Sequence, residues 1–318
     1  MPTWGDLLNE LASGKWPNAE GGVDLDGMRR HHLAELAAYT GRNTVVYATD
    51  WLNTNKAGSP DLSIVLSDVQ GLMEVFRGMD ASKGLDLVLH SPGGDPTAAD
   101  SLVRYMRSKF EHVRVIVPLA AMSAATMWAL SADVIVMGKH SQLGPVDPQL
   151  NFGKGMIPAG SIKRTFEKAK EECAKDPGQL SAWVPTLNQY FPGLLEMCDD
   201  YTQLSKDLVA EYLELYMCSA KADKAQLAAV AAEFFANDRE HIAHSRGIGR
   251  DKLESLGLEI ENLEDDSVLQ DRVLTVYHAF SHTFGMSAVA KIVENHTGQS
   301  WIKVMPMQTP QMVPLPAS

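Results

Sequence analysis

Residues 85–110 read LDLVLHSPGGDPTAADSLVRYMRSKF, which has the pattern of one strand–turn–helix unit. LDLVLH predicts a buried strand, SPGG a tight turn, and the remainder a helix with Asp95 as its N-cap. Residues 113–117 and 134–137 are two further short apolar runs, and a helix rich in small residues begins between them at Ser123. Apolar strands that alternate with helices predict a parallel sheet covered on both faces, which is an α/β fold.

The rest of the chain is predicted to be mostly helical around this parallel sheet core. Helical patterns occupy residues 158–177, 199–217, 222–236 and about 267–295, and the one strand signal among them lies at 256–260. We therefore expect four parts: an N-terminal helical extension over 1–40, the core over 41–180, a helical part over 181–305 that serves oligomerisation, and a flexible tail rich in Pro and Met over 306–318.

Composition excludes several classes of protein. The formal net charge of −12 argues against nucleic-acid binding, which needs a basic face. Cys173, Cys198 and Cys218 are odd in number and lack CxxC spacing, so we expect reduced thiols rather than disulfides or a zinc site. Residues 1–14 lack the basic start of a signal peptide, and the longest apolar window, 115–130, is too short to span a bilayer. We expect a soluble, cytoplasmic protein without membrane insertion.

Two strand-to-helix junctions carry the residue types of acyl-transfer chemistry. Gly93 and Gly94 follow a strand, where adjacent glycines allow backbone N–H groups to face a reacting oxygen. Ser123 opens a helix one strand–helix unit later, flanked by small residues that leave room for a substrate. A serine in this position is often only an N-cap, and a Pro-Gly-Gly turn is often only a turn. Their order predicts a nucleophile that shares an oxyanion pocket with the glycines, with the loop at 140–149 as a wall of the groove.

The motifs closely resemble those of the serine dehydrogenase proteinase family, in the clan of signal peptide peptidase A and the Clp proteolytic subunit. The resemblance is carried by residues 85–108 and 117–149 and extends over about 25–300, through the segments 40–53, 243–260, 263–283 and 291–296. It implies a Clp-protease/crotonase-like fold with helical N- and C-terminal additions. It also implies that Ser123 is the nucleophile, that Gly93, Gly94 and the Ala124 N–H form the oxyanion hole, and that peptides or proteins are the substrates of a homo-oligomer.

The sequence leaves several candidates for the general base. The Clp subunit has a histidine about 25 residues after its serine, and no histidine stands there in this chain, whereas His140 lies nearer, at a strand end. The signal-peptide-peptidase branch has a lysine about 40 residues after the serine, a spacing that Lys163 fits best. Lys168 and Lys170 on the same predicted helix are alternatives, although this helix also has the charge pattern of a solvated face. His244, in the motif AHSR, is the remaining candidate.

The expected function is that of a serine peptidase that acts through a Ser123 acyl-enzyme, with Lys163 as the favoured base. No metal or nucleotide cofactor is implied, since Walker and Rossmann fingerprints are missing. His278 and His282 stand at i, i+4, but without the accompanying Glu we expect them to pack rather than to bind a metal. Two alternatives remain: a catalytically inactive scaffold of the same fold, or an enzyme that acts on acyl-CoA thioesters.

Overall fold

The computed structural model describes residues 3–152, 155–241 and 243–305. The flexible tail predicted for 306–318 lies outside these residues. The helices are α1 (Trp4–Ala12), α2 (Leu25–Thr40), α3 (Asp68–Phe76), α4 (Pro96–Arg107), α5 (Ala124–Leu130), α6 (Ala159–Lys175), α7 (Leu180–Leu187), α8 (Leu194–Leu215), α9 (Lys224–Ala236), α10 (Asp238–His241), α11 (Arg250–Ser255) and α12 (Ser267–Gly285). The strands are β1 (Asn43–Thr49), β2 (Leu85–His90), β3 (Val113–Val117), β4 (Ala120–Ala121), β5 (Val134–Met137), β6 (Gln142–Leu143), β7 (Gln149–Asn151), β8 (Met156–Pro158), β9 (Ile260–Asn262), β10 (Val289–Asn295) and β11 (Ser300–Val304).

Seven of these strands form one sheet, in the order β11-β10-β1-β2-β3-β5-β9. The five strands from β1 to β9 are parallel to their neighbours, and β10 and β11 add an antiparallel margin beyond β1. The α/β class and the mostly parallel core are confirmed. Because parallel neighbours place their carboxyl ends at the same edge, the turn after β2 and the segment after β3 emerge side by side.

The sheet is covered on both faces because its side chains alternate between two apolar layers. Tyr47 and Leu87 point into the larger cluster, which α3, α4, α5, α8 and α9 complete. Val46 and Val88, one residue further along each strand, point into a second cluster with α2 and α12. A strand that is buried on both faces needs apolar residues at nearly every position, which explains why these strands are apolar throughout.

The predicted helix over 267–295 was wrong at its C-terminal end. The helix stops at Gly285, and Val289–Asn295 is a strand that pairs antiparallel with β1 over the register Val45↔Asn295 to Thr49↔Lys291. This strand covers the edge of β1, which would otherwise leave a row of buried backbone groups unpaired. The predicted cap of α4 is confirmed: the Asp95 carboxylate accepts hydrogen bonds from the backbone N–H groups of Thr97 and Ala98.

Candidate active site

The glycine turn after β2 packs directly on the serine segment. Gly93 has φ +92°, and a Cβ built on it would lie 2.4 Å from the Met122 carbonyl oxygen and 2.8 Å from the Ala124 nitrogen. Such distances exclude any larger residue. The Met122 N–H also donates to the Ser91 carbonyl at 2.9 Å, which joins the two segments by backbone hydrogen bonding. The structure therefore brings the turn and the serine together, as the order of the motifs predicted.

Ser123 has a strained backbone. Its φ of 52° and ψ of −123° make it the one non-glycine residue with positive φ among the described residues. A conformation of this kind costs about 1–3 kcal/mol and persists only where the surroundings impose it. Here they do so at the mouth of α5, between the buried Met122 and the buried Ala124. The serine does not cap the helix, because its side chain makes no capping hydrogen bond. The N-cap interpretation of Ser123 is thus not what the structure shows.

The backbone donors near Ser123 differ in what they already bind. The Gly93 N–H donates to the Ser91 hydroxyl at 3.2 Å. Within the described ranges, the Gly94 and Ala124 N–H groups have no hydrogen-bond acceptor. Ala124 is the first residue of α5, where the helix leaves its N–H free in any case. Gly94 and Ala124 are therefore the two donors that remain available for a ligand oxygen.

The loop after β6 lies behind the serine and supplies a buried carboxylate. The Thr126 hydroxyl donates to the Ala121 carbonyl at 2.8 Å and accepts from the Gly144 N–H at 2.9 Å, which ties this loop to α5. Asp147 follows three residues later and is 4% exposed. One of its carboxylate oxygens accepts from the Gln149 amide at 2.6 Å.

The other oxygen of Asp147 contacts a histidine from far along the chain. His244 Nδ1 lies 2.7 Å from Asp147 Oδ1, and 27% of the imidazole is exposed. The histidine loop is fixed by two backbone hydrogen bonds between Leu143 and Ile248, at 3.0 and 2.8 Å. Because Nδ1 is engaged by the carboxylate, Nε2 is the free ring nitrogen: no described residue hydrogen-bonds to it.

These residues surround one cavity of about 880 Å³. Its lining includes Ser123 and Ala124, the glycines of the turn, and the His244–Asp147 pair. Apolar side chains, among them Met127, Val146 and Met156, form much of the remaining wall. The cavity thus combines a strained hydroxyl, free backbone donors and a histidine held by a buried carboxylate, which are the parts that acyl transfer requires.

The lysines favoured by spacing lie elsewhere. Lys163 is 45% exposed, forms an ion pair with Asp199, and lines a second cavity of about 460 Å³ that shares Asp147 and Pro148 with the first. Lys168 and Lys170 are 67% and 79% exposed and lie 3.9 Å from glutamates of their own helix. None of the three lines the cavity around Ser123. Their exposure is that of a solvated helix face, whereas a lysine base needs a desolvated position.

Other histidines stand apart from this cavity. His140 Nε2 lies 3.0 Å from the Pro118 carbonyl oxygen. His282 packs against Trp4 with ring centroids 4.3 Å apart, which agrees with the packing role expected for it. Among the described residues, His31, His32 and Glu35 form a group with metal-ligand donors within 4.8 Å of one another. The guanidinium of Arg272 lies 2.7 Å from the Glu35 carboxylate and competes with any metal for it.

A largely parallel sheet with a glycine turn and a strained serine at the carboxyl ends of its strands defines an α/β protein with a candidate site at that edge of the sheet. Residues 62–186 match the sequence model of the ClpP-like SDH-type serine proteinases. The match agrees with the family resemblance of the motifs. It contains Ser123, both glycines and Asp147, whereas His244 lies outside the matched residues.

Two proteins of Methanocaldococcus jannaschii, both described as uncharacterized, are similar to part of the chain. MJ0137 is 38% identical over 113 residues, which are 36% of this chain and 38% of that protein. MJ1495 is 31% identical over 113 residues, 36% of this chain and 37% of that protein. The matches thus span little more than a third of each relative.

Among solved structures, the chain is similar to a mutant of the 1510-N membrane-bound stomatin-specific protease. The TM-score is 0.38 at 16% identity, and the match covers 62% of this chain and 74% of that one. In the described part of this chain, none of the helices combines the length and the apolar character that crossing a membrane requires.

Proposed function

We propose that this protein is a serine peptidase with a Ser123–His244–Asp147 triad and an oxyanion hole formed by the Gly94 and Ala124 N–H groups. One observation supports it above all: a serine in a strained conformation shares a cavity with a histidine whose Nδ1 is held by a buried carboxylate. Backbone strain of this kind is characteristic of functional positions.

Each residue has a chemical role that follows from its position. The Asp147 carboxylate accepts the Nδ1 proton of His244, which leaves Nε2 as the proton acceptor. As the Ser123 oxygen bonds to the carbonyl carbon of a peptide, its proton passes to Nε2, and the carbonyl oxygen becomes an oxyanion held by the two N–H groups. When the C–N bond breaks, the leaving amine takes the proton from Nε2. Water then hydrolyses the acyl-enzyme by the same route and restores the serine.

His244 is the base that we favour over Lys163, Lys168 and Lys170. A base must reach the serine hydroxyl directly or through one water, and His244 lines the serine's cavity, while the lysines do not. It is also the candidate with an orienting carboxylate, whereas the partner of Lys163 is the exposed Asp199. The acid of this triad was missed in the sequence, where Asp147 is simply a residue before a proline in a turn.

Peptide or protein substrates agree with the shape of the cavity. An extended chain can pair with backbone groups near the Gly93-Gly94 turn, while the apolar wall of Met127, Val146 and Met156 receives a side chain. Assembly into a homo-oligomer remains a prediction that rests on the resemblance, and a cytoplasmic location remains a prediction from the sequence.

Labelling with a fluorophosphonate tests the proposal. We expect the wild type to be labelled, Ser123→Ala to be unlabelled, and His244→Ala and Asp147→Asn to be labelled about 10²–10⁴-fold more slowly. Lys163→Ala and His31→Ala, a histidine outside the cavity, serve as controls with wild-type rates. Slow labelling of Lys163→Ala together with a normal rate for His244→Ala would replace the triad with a Ser–Lys dyad. A folded wild type that is not labelled would favour the inactive scaffold.

A further inference from the structure

The position of Gly94 is set by a short segment on the other side of the turn. The Ile64 N–H donates to the Gly93 carbonyl at 2.7 Å, and the Asp95 N–H donates to the Ile64 carbonyl at 3.0 Å. A Cβ on Gly94 would lie 2.4 Å from the Ile64 carbonyl oxygen, so the two backbones are in direct contact. Any displacement of residues 63–65 therefore displaces the Gly94 N–H.

Residues 63–65 are in turn held by a buried ion pair. Lys291 Nζ donates to the Ser63 carbonyl at 2.8 Å and contacts both carboxylate oxygens of Asp68, at 2.8 and 2.7 Å. The Asp68 carboxylate accepts from the Val65 N–H at 3.1 Å. The segment is thus bound at both of its ends, by the cation at Ser63 and by the anion at Val65.

This ion pair is completely buried, with both side chains 0% exposed. Burial lowers the pKa of Lys291, while Asp68 acts in the opposite direction. The Tyr47 hydroxyl donates to Asp68 at 2.6 Å, and the Tyr47 ring lies edge-on to Trp128 of α5, with centroids 5.1 Å apart. The network therefore reaches both the glycine turn and the serine helix. Apolar residues of similar volume often stabilise a fold at least as well as a buried ion pair.

We propose that Lys291 and Asp68 are positioning residues that hold the Gly94 N–H of the oxyanion hole in place through residues 63–65. The inference rests on the proposed function, because the oxyanion hole belongs to it. Neither residue touches the cavity, although Ser63, which Lys291 binds, forms part of its wall. Their effect should therefore appear in the transition state and not in substrate binding.

The test variant is Lys291→Met/Asp68→Asn. It removes both charges and the donor to Ser63 but keeps an acceptor for Tyr47 and Val65. We expect kcat on a peptide substrate to fall about 10- to 100-fold with KM changed less than about threefold, since a small misplacement of an oxyanion donor acts on the transition state. The affinity of a peptidyl boronate should fall in parallel with kcat, and the Ile64 and Asp95 amides should exchange hydrogen faster.

The matched control is Arg29→Met/Glu294→Gln. It removes another buried ion pair, 2.9 Å long, from the same strand, but one directed at α2. We expect it to lower stability without a change in kcat, boronate affinity or exchange at Ile64 and Asp95. If the first double variant does not fold, Lys291→Met alone replaces it, because it also removes the donor to Ser63 and the buried Asp68 carboxyl can become neutral by binding a proton.

Two results would overturn the inference: unchanged exchange at Ile64 and Asp95, or faster exchange with unchanged kcat and boronate affinity. Failure of the proposed function gives a different result. In that case the wild type itself is not labelled by the fluorophosphonate, while the exchange measurement still reports whether Lys291 and Asp68 hold the turn.

Discussion

Replacing Ser123 by glycine should make the protein more stable than replacing it by alanine. With φ 52° and ψ −123°, the position suits glycine and strains every residue with a Cβ. Relief of that strain contributes about 1–3 kcal/mol, and the greater freedom of glycine in the unfolded chain offsets about 0.5–1 kcal/mol of it. We expect Ser123→Gly to exceed Ser123→Ala by about 1 kcal/mol in free energy of unfolding, although both variants lack the proposed nucleophile.

Equilibrium unfolding in urea at neutral pH measures this difference, since both variants should show the same slope and different midpoints. The control is Ala125→Gly, two residues further on in regular helix, where glycine should destabilise by about 1 kcal/mol. Equal stability of Ser123→Ala and Ser123→Gly, with the control destabilised as expected, would contradict this prediction. Such a result would mean that the serine segment relaxes without strain.

Three more predictions concern residues around the site. Burial lowers the pKa of His90 to about 4, so the unfolded chain, with a histidine pKa near 6.5, binds more protons between these values and stability falls as the pH decreases through them. Between pH 7 and pH 4.5, the free energy of unfolding measured in urea should fall by about 2–3 kcal/mol less for His90→Leu than for the wild type. Equal decreases in the two proteins would contradict this. Asp86 is fully buried between Arg42 and Arg114, so Asp86→Ala should lower the free energy of unfolding, measured in the same way, by about 3–5 kcal/mol. A decrease below about 1 kcal/mol would argue against the pairing. Gly93→Ala should abolish fluorophosphonate labelling with an intact circular dichroism spectrum, whereas Gly58→Ala, with similar positive φ but open space around its Cβ, should label normally; labelling of the first variant would disprove the close packing.

The local parts of the site could be predicted from the sequence because each depends on neighbours in the chain. The strand, the turn and the helix capped by Asp95 follow from residues 85–110 alone, and Ser123 repeats that arrangement one unit later. Parallel strands then place both junctions at one edge without any further information. The sequence does not show which of the two glycines has a free N–H, because this depends on the hydrogen bond from the Gly93 N–H to the Ser91 hydroxyl.

The proposed base, His244, could not be singled out from the sequence because spacing along the chain does not give distance in the fold. His244 and Asp147 are 97 positions apart, and backbone hydrogen bonds between Leu143 and Ile248 bring their loops together. Because these hydrogen bonds join backbone groups, the residue types do not indicate them. The same limitation explains β10: its apolar residues suit a helix or a strand, and only the open edge of β1 decides between them.

The pairing of Leu143 with Ile248 also has a consequence for the timing of synthesis. A ribosome makes the glycine turn, Ser123 and Asp147 well before it makes the His244 loop, and chains fold largely from the N-terminal side as they emerge. Under the proposed mechanism, a nascent chain that ends before residue 244 holds a serine with no base. Its hydroxyl stays inert beside other unfolded nascent polypeptides, and hydrolytic competence arises only once the later segment closes onto β6.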